Sequence, residues 1–492
     1  MLVQFPSFLA VSVLAGFATH VLGLNILQGS KFAGKRSVEE RDGVVHTIFE
    51  HNATGATIDY VKNSGICETT PGVNQYSGYF SVGKNMSMWF WFFEARHDAE
   101  SAPLALWLNG GPGCSSMIGL FQARLNQCIS RENGPCQFYN NATTPSLNPY
   151  SWNEYANLLY VDEPIGTGFS YGNDTVVGTV SAAPFVWKLL QAFFAHFRQY
   201  ESRDFGLFTE SYGGHYGPEF ASYFEQQNGA IHNKSLHAEE INLVALGINN
   251  GWYDAIIQER EFISFSANNS YYPLINSSIA DAYLANYTST CLPALLTCNS
   301  TTEETPQCYN AHETCNAVDN AFSVYYPDID YYDIRQPSSA PFPPETYLNY
   351  LTDPAVMKAI GAKSNYSECS DAVDLPFAQF GDGSRSFLPT LSSVVQSNIT
   401  VLIWAGDADA VCDWFGGFAS VNAVEYSGSA EFSSKAVANY TLGGVTKGTY
   451  KSVGNLSWLR VFESGHMIPS FQPELALQVF KQTLQKKPIS GT

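Results

Sequence analysis

The sequence predicts an α/β protein, built on a mostly parallel central sheet with an inserted cap region. Three observations point there. Short apolar runs at Leu104–Leu108, Leu158–Val161, Leu243–Ile248 and Thr400–Trp404 have the length of buried strands and end in polar or glycine-rich turns. Between them, Ala182 to Tyr200 carries Val186, Leu189, Leu190, Phe193, Phe194 and Phe197 at helical spacing. Finally, Leu207-Phe208-Thr209-Glu210-Ser211-Tyr212-Gly213-Gly214 reads as a strand that turns sharply at a serine and enters a helix over Pro218 to Gln227. Such alternation of strands and helices favours parallel pairing.

Along the chain, Met1 to about Gly23 holds an apolar run, Phe8 to Gly16, and is expected to be a secretory leader despite lacking a basic start. His20 and Gly23 break the run before it could span a bilayer. Residues 24–58 are polar, like a pro-segment. Lys35-Arg36 within them is either a dibasic cleavage point or a solvated charge pair. Strands dominate from Tyr76, with an aromatic strand at Met86 to Glu94. The core is expected over 59–250 and 387–492, with a strand near Leu459 to Phe462. Residues 251–386 differ in texture, being rich in Tyr, Asn, Ser, Thr and Pro, and are expected to cap the C-terminal ends of the strands, where α/β ligand sites lie.

A hydrophobic content of 45% with 14% charged residues is globular, and a net charge of -20 argues against nucleic-acid binding. It fits either work in acid, where carboxylates protonate, or plain solubility. Sequons at Asn52, Asn85, Asn141, Asn173, Asn233, Asn268, Asn276, Asn286, Asn299, Asn365, Asn398, Asn439 and Asn455, together with ten cysteines, favour a secreted chain in an oxidising compartment. Vacuolar delivery fits the same features. Cys291, Cys298, Cys308 and Cys315 are spaced as two nested bridges would be, and no CxxC or histidine pattern favours zinc. The C-terminus carries neither a retention signal nor an apolar anchor.

The serine turn has the layout of a nucleophile elbow, with Thr209 where the first glycine of G-x-S-x-G usually stands. A serine needs a base, and the base an orienting acid. In α/β-hydrolases these follow in the order Ser, Asp or Glu, His. The chain offers Ser211, then Asp407 or Asp409 beyond a strand, then His466 in a late Gly-His-Met loop. His215 is nearer in sequence, but the helix leaving the elbow points it away from the hydroxyl. An oxyanion hole would combine the Tyr212 N–H with one from the Gly110-Gly111 loop. Trp107, Asn109, Glu132 and Glu210 could gather beside the nucleophile.

Trp107-Leu-Asn-Gly-Gly-Pro-Gly-Cys114-Ser-Ser, Glu132-Asn-Gly-Pro, Asp162-Glu-Pro, Glu210-Ser-Tyr-Gly-Gly-His-Tyr, Gly406-Asp-Ala-Asp409 and Gly465-His-Met resemble, in order, the motifs of the serine carboxypeptidases, most of all secreted fungal members. The resemblance runs from about Tyr76 to Pro473. It implies an α/β-hydrolase fold and removal of C-terminal residues from peptides and proteins at acid pH through an acyl-enzyme, with no cofactor and no metal. It assigns Ser211 as nucleophile, Asp409 rather than Asp407 as orienter, and His466 as base. Gly111 and Tyr212 would supply the oxyanion N–H groups, and Asn109, Glu132 and Glu210, supported by Trp107, would bind the substrate carboxylate. It pairs Cys114 with Cys369, and nests Cys298–Cys308 inside Cys291–Cys315. Cys67 would pair with Cys136. Cys412 would stay free at the substrate pocket, giving sensitivity to mercurials, with Met467 nearby.

Two departures accompany the resemblance. Thr209 replaces a glycine, so packing at the elbow must differ. Ala123 to Arg131 adds about nine residues before Glu132 and brings an odd Cys128, as a surface loop or a gene-model error. Rival readings are an acyltransferase on the same fold and a binding or stabilising glycoprotein with a vestigial site. Peptide and protein C-termini are the expected partners, with no nucleic acid and no membrane anchor, in a monomer or homodimer.

Overall fold

The computed structural model describes residues 34–51, 55–121, 132–138, 142–300, 306–325, 328–339 and 346–492. The expected leader, the sequons at Asn52 and Asn141, and residues 123–131 with Cys128 lie outside them.

A sheet of fourteen strands organises the molecule. Its main strands are β1 (Gly34–Arg41), β2 (Val44–His51), β3 (Thr57–Lys62), β4 (Gln75–Gly83), β5 (Met86–Phe93), β6 (Leu104–Leu108), β7 (Asn157–Val161), β8 (Phe205–Glu210), β9 (Leu243–Asn249), β10 (Thr400–Gly406), β11 (Ala438–Leu442), β12 (Val445–Val453) and β13 (Leu456–Val461). The spatial order is β1-β2-β3-β4-β5-β7-β6-β8-β9-β10-β13-β12-β11, and the two-residue strand Tyr171–Gly172 pairs with β5. The six neighbours from β7 to β13 are parallel. Antiparallel meanders extend the sheet on both sides. This is the α/β-hydrolase arrangement.

Every residue of β6, β7, β8 and β10 is buried, because helices cover both faces of the parallel section. Alternation still decides which side each residue serves. Leu104, Leu106 and Leu108 pack with Val186, Leu190, Phe220 and Val394 on one face. On the other, Ala105 and Trp107 pack with Leu475, Val479 and Phe480. The covering helices are Thr179–His196, Gly213–His232 and Leu388–Gln396 on the first face, and Pro473–Leu484 on the second.

Element boundaries shift from the sequence expectation for local reasons. The first of these helices starts earlier and stops at His196, leaving Arg198–Tyr200 as a separate 3-10 turn. The elbow helix begins at Gly213, so Pro218 lies inside it rather than opening it. Within the polar stretch that resembles a pro-segment, Gly34–Arg41 and Val44–His51 form β1 and β2, and its Thr57 and Ile58 open β3. Its polarity suits an edge, since β1 is exposed along most of its length and carries Lys35, Arg36, Glu39, Glu40 and Arg41.

The inserted region is mostly helical, with Ala255–Ala267, Ser277–Asn286, Leu292–Cys298, Pro306–Tyr325 and Asp371–Phe380 among its helices. Cys291–Cys315 and Cys298–Cys308 staple a helical hairpin, so these four thiols are consumed as disulfides rather than held for a metal. Cys114–Cys369 ties the loop after β6 to the insert, and Cys67–Cys136 joins the turn after β3 to the segment before β7. A short hairpin of Ile329–Asp330 and Asp333–Pro337 lies near the strand ends.

Candidate active site

Strand β8 delivers Glu210 and Ser211 to the C-terminal end of the sheet. Ser211 adopts φ 63, a left-handed conformation that costs a non-glycine residue roughly 1 kcal/mol or more and is retained where surroundings enforce it. Enforcement comes from both sides: the Ser211 N–H donates to Asn249 O at 3.0 Å, and Trp252 N–H donates to Ser211 O at 2.9 Å. The half-buried Ser211 hydroxyl is thus held where strand turns into helix.

Thr209 fits because the glycines sit on the helix side. Its hydroxyl donates to Gly213 O at 2.8 Å, and a Cβ on Gly213 would lie 2.5 Å from the Thr209 Cβ. Strand-side bulk has been exchanged for helix-side room. On the opposite wall, a Cβ on Gly110 would stand 2.4 Å from the Tyr212 amide nitrogen, so the bare Gly110-Gly111 turn lies directly against that amide. Gly111 has φ 116, which only glycine adopts readily.

Asp409 and His466 meet in the interior, with His466 Nδ1 at 2.7 Å from Asp409 Oδ2. Asp409 also accepts from Asn250 Nδ2 at 2.7 Å, Val411 N–H at 3.0 Å and Cys412 N–H at 3.2 Å. Four donors fix this carboxylate. Burial disfavours a charged His466, but the Asp409 carboxylate, with Glu210 and Asp330 beyond it, holds its pKa above the ordinary histidine value. Asp407 is occupied elsewhere, accepting from Tyr271 Oη at 2.6 Å and Arg460 at 3.3 Å. His215 Nδ1 sits at 2.6 Å from Trp252 O and Nε2 at 3.2 Å from Asp382 O, so both ring nitrogens face backbone carbonyls, and the neutral ring donates to one of them. Cys412 is a buried free thiol within hydrogen-bond reach of the Ser211 side chain, and burial pushes its pKa well up. Met467 follows His466 and is half-buried.

The second cluster is a chain of amides ending in two acids. Trp107 Nε1 donates to Asn109 Oδ1 at 2.7 Å, fixing the amide so that Asn109 Nδ2 donates to Glu210 Oε1 at 3.0 Å. Asn249 Nδ2 donates to the other Glu210 oxygen. Both Glu132 oxygens are buried without a conventional hydrogen-bond partner, and that carboxyl faces Glu210. Burial raises the Glu132 pKa to about 7. Burial and the Glu132 charge push Glu210 well above the usual carboxylate range. The pair therefore titrates as one unit and keeps a proton in acid.

Residues 65–486 match the family model for serine carboxypeptidases. The chain belongs to the serine carboxypeptidase family. It is 59% identical to carboxypeptidase S1 of Penicillium janthinellum, over 88% of this chain and all of that protein. It is 35% identical to carboxypeptidase Y of Schizosaccharomyces pombe, over 83% of this chain and 40% of that protein. Among solved structures, the prohormone-processing carboxypeptidase Kex1(delta)p of Saccharomyces cerevisiae superposes with a TM-score of 0.71 at 20% identity, covering 86% of this chain and 93% of that one. That likeness concerns the fold.

Three contributors to this carboxypeptidase site are absent from the sequence expectation. Asn249 joins the acid pair to the histidine loop, donating also to His466 O at 3.0 Å. Asn250 holds Asp409, as above, and has φ 40. Tyr332, from the short hairpin of the insert, sets its ring edge-on to His466 at 5.0 Å. The two asparagines had a signal, an Asn-Asn-Gly closing an apolar strand. Tyr332 had none, lying 134 positions before its partner.

Sequon placement is uneven. Asn85, Asn173, Asn233, Asn268, Asn276, Asn365, Asn398 and Asn439 are exposed, and Asn286 is half-buried. Asn299 and Asn455 instead donate their amide nitrogens inward, to Leu295 O and Ser384 O and to Val395 O and Ile399 O. A glycan there would displace those bonds. Among the described residues no helix is long and apolar enough to cross a membrane.

Proposed function

We propose that this serine carboxypeptidase removes C-terminal residues from peptides at acid pH, with Ser211 as nucleophile, His466 as base and Asp409 as the acid that orients it. His466 takes the Ser211 proton as the hydroxyl attacks the last peptide carbonyl, and returns it to the departing amine. The acyl-enzyme is then hydrolysed by the same proton traffic in reverse order. Amides of Gly111 and Tyr212 steady the oxyanion, each such donor typically contributing about 3 kcal/mol in the transition state.

The observation that carries the exopeptidase reading is the Trp107–Asn109–Glu210–Glu132 chain beside the serine. A buried acid pair that retains a proton can donate to a substrate carboxylate, whereas an internal peptide offers nothing for it to bind. Cys412, beside Ser211, belongs to the same pocket and is expected to make the enzyme sensitive to bulky mercurials. Four disulfides, the apolar leader and the exposed sequons support extracellular delivery.

The test is hydrolysis of an N-blocked dipeptide at acid pH by the parent and Ser211→Ala. Loss of Ser211 should cost on the order of a millionfold in turnover, because the three residues act as a unit. A fluorophosphonate should label the parent at Ser211. Absence of labelling favours a vestigial binding protein, and efficient acyl transfer to an amine with little hydrolysis favours an acyltransferase.

A further inference from the structure

Residues 329–337 belong to the inserted region, yet their hydrogen bonds go to the two loops that carry Asp409 and His466. Ala410 N–H donates to Tyr331 O at 2.9 Å, and Ile334 N–H donates to Ala408 O at 2.9 Å. These bonds grip the acid loop on either side of Asp409. His466 N–H itself donates to Tyr332 O at 2.8 Å. The turn of one hairpin therefore fixes the backbone of both partners, and the Tyr332 ring lies edge-on to the imidazole. Contact is close enough to dictate sequence: a Cβ on Gly465 would lie 2.4 Å from Tyr332 O and 2.9 Å from the Asp333 Cβ. The glycine preceding the histidine is required by the hairpin.

The hairpin is in turn locked by one side chain. Arg335 donates from Nε to Asp333 Oδ1 at 2.6 Å and from Nη2 to Asp333 Oδ2 at 2.8 Å, a two-pronged pair on a fully buried acid. Its guanidinium lies 5.2 Å from the ring centre of Phe471, in the short helix after His466, and 5.6 Å from that of Tyr271. Tyr271 Oη donates to Asp407, two residues before Asp409. Arg335 thus touches the hairpin, the helix after the histidine and the tyrosine that holds the acid loop.

We propose that the hairpin of residues 329–337 is a brace that sets the distance and angle between Asp409 and His466, and that Arg335 is its positioning residue. This rests on the reading of Asp409 and His466 as the acid–base pair. A planar guanidinium is suited to the task because it is always charged and meets a carboxylate in fixed geometry while stacking on rings. The groups facing the imidazole are Asp409 from the acid loop, Glu210 from the end of β8, and Asp330 with the Tyr332 ring from the hairpin. Loosening the hairpin weakens the hold of Asp409 on the imidazolium.

The test is Arg335→Ala in the full chain, assayed on an N-blocked dipeptide across the acid range. The expected result is a fall in kcat on the order of ten- to a hundredfold with KM changed less than about twofold, since misplacement by a fraction of an ångström suffices. The acid limb of kcat should move to lower pH, and free guanidinium should restore part of the rate. Tyr271→Phe, which removes one hydroxyl from Asp407, should shift the same limb in the same direction by less, and it decides alone if Arg335→Ala does not fold. Unchanged kcat and pH profile with lowered thermal stability overturns the brace, as does a rise confined to KM. His466→Ala separates the two readings. If it keeps turnover, the acid–base assignment fails; if it abolishes turnover while Arg335→Ala leaves kcat intact, only the brace fails.

Discussion

Glu132 and Glu210 show how two like charges can recognise a third. Two amides, from Asn109 and Asn249, favour an ionised Glu210, yet burial and the facing Glu132 charge push its pKa above that of Glu132, so Glu132 is the first of the pair to ionise. A protonated Glu132 donates to the substrate carboxylate; a deprotonated one repels it. Because burial sets the Glu132 pKa at about 7, affinity for peptide acids should hold in acid and weaken as pH rises through neutrality, KM climbing by roughly tenfold per unit once the proton is lost. Measured against pH, KM for a peptide ester lacking the terminal carboxylate should rise far less. Glu132→Gln, whose amide donates at every pH, should flatten the peptide profile. Parallel curves for the acid and the ester would remove the acid pair from substrate binding. At this scale much was legible in the sequence, since Trp107, Asn109, Glu132 and Glu210 converge as their motifs suggest. Asn249 and Asn250 were not, because an apolar strand read to Ile248 hides that its last residue and the next still point into the site.

At the scale of elements, the strand–turn–helix of the elbow is a packing exchange between Thr209 and Gly213. The threonine is fully buried, and its Cβ and hydroxyl occupy the space a Cβ on Gly213 would need. Gly213→Ala should therefore destabilise by about 1–3 kcal/mol through overpacking, and Thr209→Ala by roughly 1–2 kcal/mol through the lost hydroxyl bond and methyl. Combined with Thr209→Gly, Gly213→Ala should recover much of its loss, so the pair couples strongly in a double-mutant cycle read by chemical denaturation. Simple additivity would mean that the two residues do not share one space. The buried parallel strands were legible because helices on both faces demand continuous apolar runs. Strands β1 to β3 and the hairpin of residues 329–337 were not. An edge strand needs no apolar face, and a two-residue strand has too few positions to show a period; its partners lie some 70 to 130 positions away, beyond any local pattern.

For the whole molecule, the buried acids make stability a function of pH with a definite sign. Glu132, Glu163 and Glu210 are all buried, and burial raises each pKa, to about 7 for Glu132 and well above the usual range for the other two. Neither oxygen of Glu163 has a hydrogen-bond partner, and burial alone raises its pKa, so it too folds neutral. A carboxyl whose folded pKa is raised stabilises below its unfolded pKa, and that contribution is lost as pH rises through the folded value. His466, also raised, acts in the same direction. Two histidines oppose them. Burial lowers His196 to about 4 and lowers His215, so the unfolded chain binds protons there below its ordinary pKa of 6.5 that the native chain refuses. Between about pH 5 and 6.5 these terms partly cancel. Above 6.5 the unfolded histidines no longer take protons while the native acids still hold theirs, and each such group then costs up to about 1.4 kcal/mol per pH unit. Self-repulsion from a net charge of -20 adds to the loss as pH rises. Thermal melting should therefore show a shallow profile in mild acid and a steep fall just above neutrality. Glu163→Gln, outside the proposed substrate site, should reduce that slope without changing the pH dependence of KM. A melting temperature constant through neutrality, or one that rises there, would mean that these acids are ionised in the native state, and the proton that Glu132 is proposed to offer a substrate would be lost with them.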